Sequence, residues 1–295
     1  MKLSKDNHHP HDDRITFDEP THVYTIDGDS SYTSVTTFLH HQFPKFNPDP
    51  VAANLLAAVY SNGRPNTNKY RAIAIANIQI ILPDVSKEEA IALLNNTESE
   101  HYKREKQAIK DEWIASSTSG TKIHADIEYF YNDEPRPNDS IEYQFFEAFR
   151  ADFEREFPQY RPYRTEWTVF YKELKIAGSI DMVYENIEDG TLMIYDWKRV
   201  KDIKYEAFKD ECGLGVCSDL PHTNFWHYSL QLNTYKAILE SQYDKKVTAL
   251  RLVRLYPDAP TYEIHECHDL QYKVKALFDN RRIELTKKTD IEGSH

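Results

Sequence analysis

The chain has 295 residues, with 36 Lys and Arg against 48 Asp and Glu and a formal net charge of −12. Its length fits one large domain or two small ones, and an apolar content of 40% with 13% aromatic residues excludes global disorder. The negative charge excludes a protein coated in basic surface, such as a histone, although a local groove with a bound cation can still attract nucleic acid.

The N-terminal part of the chain is predicted to be a tail followed by a helical lobe. Residues 1–14 are polar and rich in His, which is typical of a disordered tail. Alternating apolar residues over 15–26 predict a hairpin that closes near Asp27-Gly28. Helices are then predicted at residues 51–60, 70–81 and 86–94, so the lobe covers residues 15–115.

A boundary between two domains is predicted near residue 116. Residues 100–131 have helical periodicity, but small hydroxyl residues and a glycine interrupt it at residues 116–120. We therefore expect a break in the helix there and a new helix that begins near Thr121. The second domain is expected to cover residues 116–290.

The second domain is rich in predicted strands. An amphipathic helix at residues 141–157 carries a stripe of Phe that should be core, and residues 163–171, 174–184 and 191–198 should form an antiparallel meander. A helix, two strands and a closing helix follow at residues 225–242, 247–256, 262–265 and 269–287. The predicted fold class is α/β (α+β), with a central mixed sheet flanked by helices and an N-terminal helical lobe.

Several common signatures are missing from the sequence. The glycines build neither a P-loop nor a dinucleotide-binding fingerprint, and no serine-hydrolase elbow or zinc-protease motif occurs. The longest apolar stretch, residues 72–82, is too short to cross a membrane, and we expect no secretion signal. Three cysteines favour reduced thiols and a cytoplasmic or nuclear location.

Acidic residues occur on three successive predicted strands, as Glu166, Asp181 and Asp196. On the third strand, the period of two places Asp196 and Lys198 on one face and Trp197 on the other. Burying this pair would cost several kcal/mol unless it is paired or binds a cation, whereas an Asp-x-Lys pair on an edge strand would simply be solvated.

Four motifs give the sequence a resemblance to a known family. In order they are Gly120-Thr121-Lys122-Ile123-His124, Gly178-Ser179-Ile180-Asp181, Asp196-Trp197-Lys198 and Gln231-Leu232-Asn233-Thr234-Tyr235. The set resembles the RecB-type exonuclease branch of the PD-(D/E)XK nuclease superfamily. Thr33-Ser34-Val35-Thr36 is similar to a segment of the mitochondrial genome maintenance exonuclease. The sequence that flanks the motifs is similar to that of nucleases encoded by large DNA viruses. The resemblance implies a restriction-endonuclease-like core.

The resemblance also implies a site for Mg²⁺, with Mn²⁺ as a substitute. His124, Asp181, Asp196 and the backbone carbonyl of Trp197 would hold the cation, since oxygen ligands suit Mg²⁺ and an imidazole suits Mn²⁺. Lys198 would lie beside the attacking water and the phosphate. Burial lowers the pKa of such a lysine and carboxylates raise it, so the sequence leaves its charge open.

Further residues receive roles from the same resemblance. Glu128 shares a helix face with His124 and would bind a second ion or hold His124, while Glu166 has either a direct catalytic role or none. The resemblance makes Thr121, Gln231 and Tyr235 candidate DNA-binding residues, and Arg199 and Arg251 are candidates for phosphate contacts because they lie near the proposed cleft. Two of these readings have structural alternatives, since Thr121 could cap a helix, and Gln231 with Tyr235 could belong to an ordinary amphipathic helix.

The implied function is that of a Mg²⁺/Mn²⁺-dependent deoxyribonuclease, an exonuclease or flap-trimming enzyme of DNA replication, repair or recombination. Its partner would be single-stranded DNA or duplex DNA ends, with no membrane. The alternatives are a catalytically silent module that binds DNA ends, or an RNA- or structure-specific endonuclease. A compact zinc knuckle is a further alternative, with the evenly spaced ligands Cys212, Cys217, His222 and His227. Three cysteines cannot complete a four-cysteine iron–sulfur cluster, and no organic cofactor is expected.

Overall fold

The computed structural model describes residues 1–57, 59–61, 64–66 and 68–292. The chain divides into two compact units, one of Met1–Lys45 with Gly120–His295 and the other of Phe46–Ser119. The division at residue 120 lies close to the predicted one at residue 116. The first 45 residues, however, belong to the unit that contains the sheet and not to the helical lobe.

The helices are α1 (Lys2–Asp6), α2 (Val35–His40), α3 (Pro48–Leu56), α4 (Lys69–Ile81), α5 (Lys87–Asn95), α6 (Glu100–Tyr131), α7 (Ile141–Glu156), α8 (Asn224–Gln242) and α9 (Gln271–Glu292). The strands are β1 (Ile15–Asp18), β2 (Val23–Ile26), β3 (Thr33–Ser34), β4 (Val59–Ser61), β5 (Arg64–Asn66), β6 (Tyr160–Tyr171), β7 (Ile176–Asn186), β8 (Leu192–Lys198), β9 (Val247–Arg254) and β10 (Glu263–Glu266). Every element predicted after residue 140 is confirmed, with its ends displaced by a few residues. No helix in the described part of the chain combines the length and the apolar character that a membrane span requires.

A six-stranded mixed sheet forms the centre of the larger unit. β6, β7 and β8 are antiparallel neighbours, which confirms the predicted meander. β9 runs parallel to β8, β3 runs parallel to β7, and β10 closes one edge antiparallel to β9. Helices and a sheet with both strand directions confirm the predicted α/β fold class.

Helices cover both faces of this sheet because its central strands are apolar on both sides. On one face, Leu192 and Ile194 of β8 belong to a buried cluster that includes residues of α8 and α9. On the other face, Met193 and Tyr195 pack in a cluster with Phe149 and other buried phenylalanines of α7. The prediction that the Phe stripe is core is confirmed.

The first 14 residues are folded onto the sheet, so the prediction of a disordered tail was wrong. The Asp12 carboxylate accepts hydrogen bonds from Arg164 at 2.6 Å and from Trp167 Nε1 at 3.1 Å. Arg164 on β6 is only 5% exposed and needs a charged partner, because an unpaired buried guanidinium is costly. Composition could not reveal this pair, which joins residues far apart in the chain.

The N-terminal hairpin is confirmed, but its turn lies elsewhere. β1 and β2 pair antiparallel with Ile15 opposite Ile26, so the chain reverses at residues 19–22 and not near Asp27-Gly28. β3 and α2 come next in the chain.

α6 continues through the predicted break at residues 116–120. The hydroxyl groups of Thr118 and Ser119 each donate a hydrogen bond of 3.1 Å to the carbonyl four residues earlier. They are therefore satisfied within the helix and do not compete with it. Thr121 consequently lies inside α6 with an exposed side chain, and the expectation that it caps a new helix was wrong.

The smaller unit has an apolar core of its own. Ala52 of α3, Ile78 of α4, Leu94 of α5 and Ile109 of α6 are buried together there. Ser86 and Glu89 form a capping box at the start of α5.

Gly178 permits a close approach between the sheet and α8. A Cβ atom there would lie 2.8 Å from Cε1 and 2.9 Å from the hydroxyl oxygen of buried Tyr235. We expect Gly178→Ala to lower the free energy of unfolding by about 1–3 kcal/mol, because the ring must move. Urea unfolding with an unchanged m-value would measure this loss.

Gly120→Ala is the matched control for that substitution. Its Cβ would come no closer than 3.9 Å to the nearest side chain, that of Arg199. Gly120 lies in α6, so alanine should raise stability by about 0.5–1 kcal/mol through helix propensity. Equal effects of the two substitutions would contradict the steric argument.

Candidate metal centre

The candidate site lies where β8 separates from β7. Main-chain pairing between the two strands ends at Met182 and Tyr195. On the same edge of β7, β3 pairs only with Ile176 and Ala177, the first two residues of that strand. Asp181 bridges the gap, since its Oδ2 accepts a hydrogen bond of 2.9 Å from the backbone N–H of Trp197. Side chains of the two strands can therefore meet where main-chain bonds are lacking.

Glu166 on β6 stands opposite Asp181 on β7, as the register of the neighbouring residue pairs requires. Glu166 has a φ of 41°, a left-handed conformation that is strained for a residue with a side chain. Its Oε2 accepts a hydrogen bond of 2.8 Å from the Ser179 hydroxyl. Two carboxylates directly opposite each other on antiparallel strands repel, so the arrangement is unfavourable without a positive charge nearby.

His124 of α6 reaches the same place. Its Nδ1 lies 3.4 Å from Asp181 Oδ2 and 3.9 Å from Glu166 Oε1. Its Nε2 lies 2.8 Å from the carbonyl oxygen of Trp197, which can only accept, so Nε2 carries the proton. Burial, followed by the charge of Lys198, lowers the pKa of His124 to about 4, so the ring is neutral. Nδ1 therefore presents a lone pair toward the two carboxylates.

We call His124, Glu166 and Asp181 the metal trio. Within the described ranges they are the one group of three His, Cys, Asp or Glu side chains whose ligand atoms all lie within 4.8 Å of one another. The trio offers one imidazole nitrogen and two carboxylates, a donor set that suits Mn²⁺ and is compatible with Mg²⁺. A divalent cation among these atoms would offset the repulsion between the carboxylates.

The protonation behaviour of the carboxylates fits a cation site. Burial, and then the charge of Asp181, raises the pKa of Glu166 to about 8. Burial also raises the pKa of Asp181, although Lys198 opposes it, and raises the pKa of Asp196 to about 6. The protein alone therefore stabilises these anions poorly, and a bound cation would stabilise them strongly.

Asp196 and Lys198 form a buried ion pair beside the metal trio. They share one face of β8, as the alternation predicted, with Lys198 Nζ 2.5 Å from Asp196 Oδ2. Trp197 points to the opposite face and packs on α7. Burial would lower the pKa of Lys198, but the carboxylates of Asp196 and Asp181 outweigh it and raise that pKa. Lys198 is therefore a cation, which the sequence left open.

The remaining predicted ligands surround the trio without joining it. Glu128 lies one turn along α6 from His124, and its carboxylate is near enough to Glu166 to raise the pKa of that residue. Burial raises the pKa of Glu128 itself. The Trp197 carbonyl accepts the bond from His124, and Asp196 is paired with Lys198.

The fourth motif belongs to α8 and has two separate roles in the packing. Tyr235 is 3% exposed, lies against Gly178, and accepts a hydrogen bond of 3.4 Å from Gln231. Burial removes Tyr235 from any surface that could touch DNA. Gln231 is partly exposed and lines a pocket with Lys198.

The two predicted arginine contacts are engaged elsewhere. Arg199 Nε donates a hydrogen bond of 2.6 Å to Glu142. Arg251 donates one of 2.6 Å to the Tyr195 hydroxyl and one of 3.0 Å to Glu266, on the face of the sheet opposite to Lys198. The structure therefore does not bring Arg251 to the site.

Two residues at the site were missed from the sequence. Ser179 holds Glu166, and the Tyr228 ring lies 4.5 Å from Lys198 Nζ in a cation–π contact. Ser179 precedes Asp181 by two residues on one strand, and Tyr228 precedes Gln231 by three on one helix. Both spacings place the missed residue on the same face as a predicted one and could have revealed it.

The zinc knuckle considered from the sequence is not formed. The rings of His222 and His227 stack with centroids 5.1 Å apart, and Cys217 is buried in the core. The metal trio remains the one close cluster of potential ligands in the part of the chain that the structure describes.

No protein-family model matches this chain, and no curated protein matches it.

Proposed function

We propose that the protein is a divalent-metal-dependent nuclease that hydrolyses phosphodiester bonds in DNA, of the PD-(D/E)XK type. The observation that carries the proposal is the convergence of Asp181, Glu166 and neutral His124 within 4.8 Å, beside a lysine that is held as a cation. Negative charge develops on phosphate oxygens during hydrolysis, and fixed positive charge there lowers the barrier.

The metal trio would hold Mg²⁺ or Mn²⁺, which when bound makes water a better nucleophile and neutralises charge on the phosphate. The Trp197 carbonyl fixes the tautomer and orientation of His124, so that Nδ1 faces the cation site. Ser179 holds one oxygen of Glu166 and leaves the other directed toward His124.

Lys198 and Asp196 act as a unit in this proposal. Lys198 keeps its proton, so it supplies a fixed charge to a phosphate oxygen and does not act as a base. Asp196 orients the ammonium group through the 2.5 Å contact. The Tyr228 ring contacts the same ammonium group through a cation–π interaction.

Within this class, the proposed enzyme acts at DNA ends. It would be an exonuclease or a flap-trimming nuclease of DNA replication, repair or recombination. The support is the resemblance of the four motifs, together with a sequence that lacks a motif for reading specific base pairs. The three cysteines are all free thiols in the structure, in keeping with a cytoplasmic or nuclear location.

Cleavage of end-labelled DNA tests the proposal. We expect the purified protein to shorten single-stranded, duplex or flap DNA with Mg²⁺ or Mn²⁺, and to leave all of them intact in EDTA. RNA of the same sequence is the substrate control, and preferential RNA cleavage would contradict the assignment to DNA. DNA that is bound but stays intact with both metals would favour the silent DNA-end-binding alternative.

A further inference from the structure

A pocket of about 320 Å³ opens beside Lys198, between α2 and α8. Thr36 and Leu39 contribute to it from α2, and Tyr228 and Gln231 from α8. Its volume is that of a small-ligand site. None of the described residues that line it is acidic, and Lys198, whose ammonium group is paired with Asp196, is among them.

One wall of the pocket is aromatic. The rings of Phe43 and His227 have centroids 3.8 Å apart, and the His222 ring stacks behind His227 at an interplanar angle of 17°. Burial lowers the pKa of His227 to about 4, so this ring is neutral and offers a π surface. Such walls bind nucleobases by stacking, which tolerates any base because every base has a π face.

Unused hydrogen-bonding groups accompany that wall. His227 Nε2 is buried, and no described group bonds to it, which is rare for a polar atom in a folded protein. The Gln231 amide spends one donor on the 3.4 Å bond to Tyr235 and retains its carbonyl oxygen and second donor. Asn224, by contrast, is held by the backbone, because its amide nitrogen donates to the carbonyl of Asp202 and its oxygen accepts from the N–H of Lys204.

We propose that this pocket binds the base of one unpaired nucleotide whose phosphate contacts Lys198. Stacking on the aromatic wall and hydrogen bonds to the Gln231 amide would hold the base. The inference rests on the proposed nuclease function and deepens it, because it makes strands with an unpaired nucleotide at the site the substrate class. A base inside a duplex has both faces covered and could enter only after unpairing.

Fluorescence of 2-aminopurine tests the pocket without catalysis. A short single-stranded DNA carries this base at either end and is titrated into the full-length wild type in EDTA and into Asp181→Asn. We expect quenching on binding, because stacking quenches 2-aminopurine. His227→Ala and Gln231→Leu should each weaken binding, the first by about tenfold or more, as expected for loss of a stacking partner.

Two further variants keep the test decisive. His227→Phe preserves the aromatic wall, so it should retain quenching even if alanine at this position disturbs folding. His8→Ala removes an exposed histidine outside the pocket and should bind as the wild type does. Fluorescence that stays bright on binding, absence of binding, or pocket variants that all bind like the wild type would overturn the inference.

The outcomes separate this inference from the function on which it rests. If the strand stacks in the pocket but neither metal supports cleavage, the nuclease assignment fails and the nucleotide pocket stands. If the wild type cleaves DNA and the pocket variants bind it unchanged, the pocket fails and the nuclease stands.

Discussion

We expect the Asp181→Asn variant to lose cleavage activity by a factor of about 10² or more. In EDTA at about pH 8.5, where Glu166 is largely ionised, the same variant should be more stable than the wild type by about 1 kcal/mol. The carboxylate of Asp181 stands opposite that of Glu166, and burial makes their repulsion costly. An amide removes the repulsion and can still accept the bond from the Trp197 N–H, but it binds a cation weakly.

Rates on end-labelled DNA and urea unfolding in EDTA measure the two effects. Asp133→Asn is the matched control, because Asp133 is an exposed carboxylate that pairs with Lys2 at the surface. Surface pairs contribute little, so this control should change neither activity nor stability measurably. Full activity of Asp181→Asn, or a loss of stability that parallels its loss of activity, would contradict the proposed site.

The metal-free protein should lose stability as the pH rises from about 7 to about 8.5, by up to about 1 kcal/mol. The pKa of Glu166 is raised to about 8 by burial and by Asp181, whereas an unfolded chain ionises this residue at much lower pH. The folded state therefore binds more protons in this window, so raising the pH favours unfolding. The Glu166 side chain is 33% exposed, and screening by water limits the size of the effect.

Histidines do not produce this slope. The pKa values of His124 and His227 are each lowered to about 4, whereas an unfolded histidine has a pKa of 6.5. Below pH 6.5 the unfolded chain therefore binds more protons than the folded protein, so these histidines lower stability only as the pH falls through that range. Glu166→Gln should therefore remove most of the slope above pH 7.

Added Mn²⁺ should oppose the slope in the wild type and raise the melting temperature more at high pH than at neutral pH. A cation binds the ionised carboxylates, so its binding releases protons and stabilises the folded state. Urea and thermal unfolding with and without the metal provide the measurement. Parallel pH profiles for wild type and Glu166→Gln, or indifference of both to Mn²⁺, would count against the metal trio.

Much of the fold could be read from local patterns. The period of two on β8 placed Asp196 and Lys198 on one face and Trp197 on the other, and the structure agrees. Strand and helix periods depend on backbone geometry that neighbouring residues share, so they are visible in a short window of sequence. The same holds for the capping box of α5, in which Ser86 and Glu89 are three residues apart.

Other features depend on contacts between distant parts of the chain. In the sequence Asp12 is an ordinary polar residue, and only the structure shows that it pairs with Arg164 of β6. Arg251 was predicted to contact phosphate, but in the structure it donates hydrogen bonds to Tyr195 and Glu266. The opposition of Glu166 and Asp181 likewise depends on the register of two strands and on a left-handed residue within one of them.

The charge of Lys198 is the clearest case. Burial and the neighbouring carboxylates act on its pKa in opposite directions, and their balance depends on distances that packing sets. The order of the motifs indicated which residues to examine, because side-chain chemistry and strand period are local properties. The protonation states and the partners of these residues depend on desolvation and on contacts between distant parts of the chain, which no local pattern encodes.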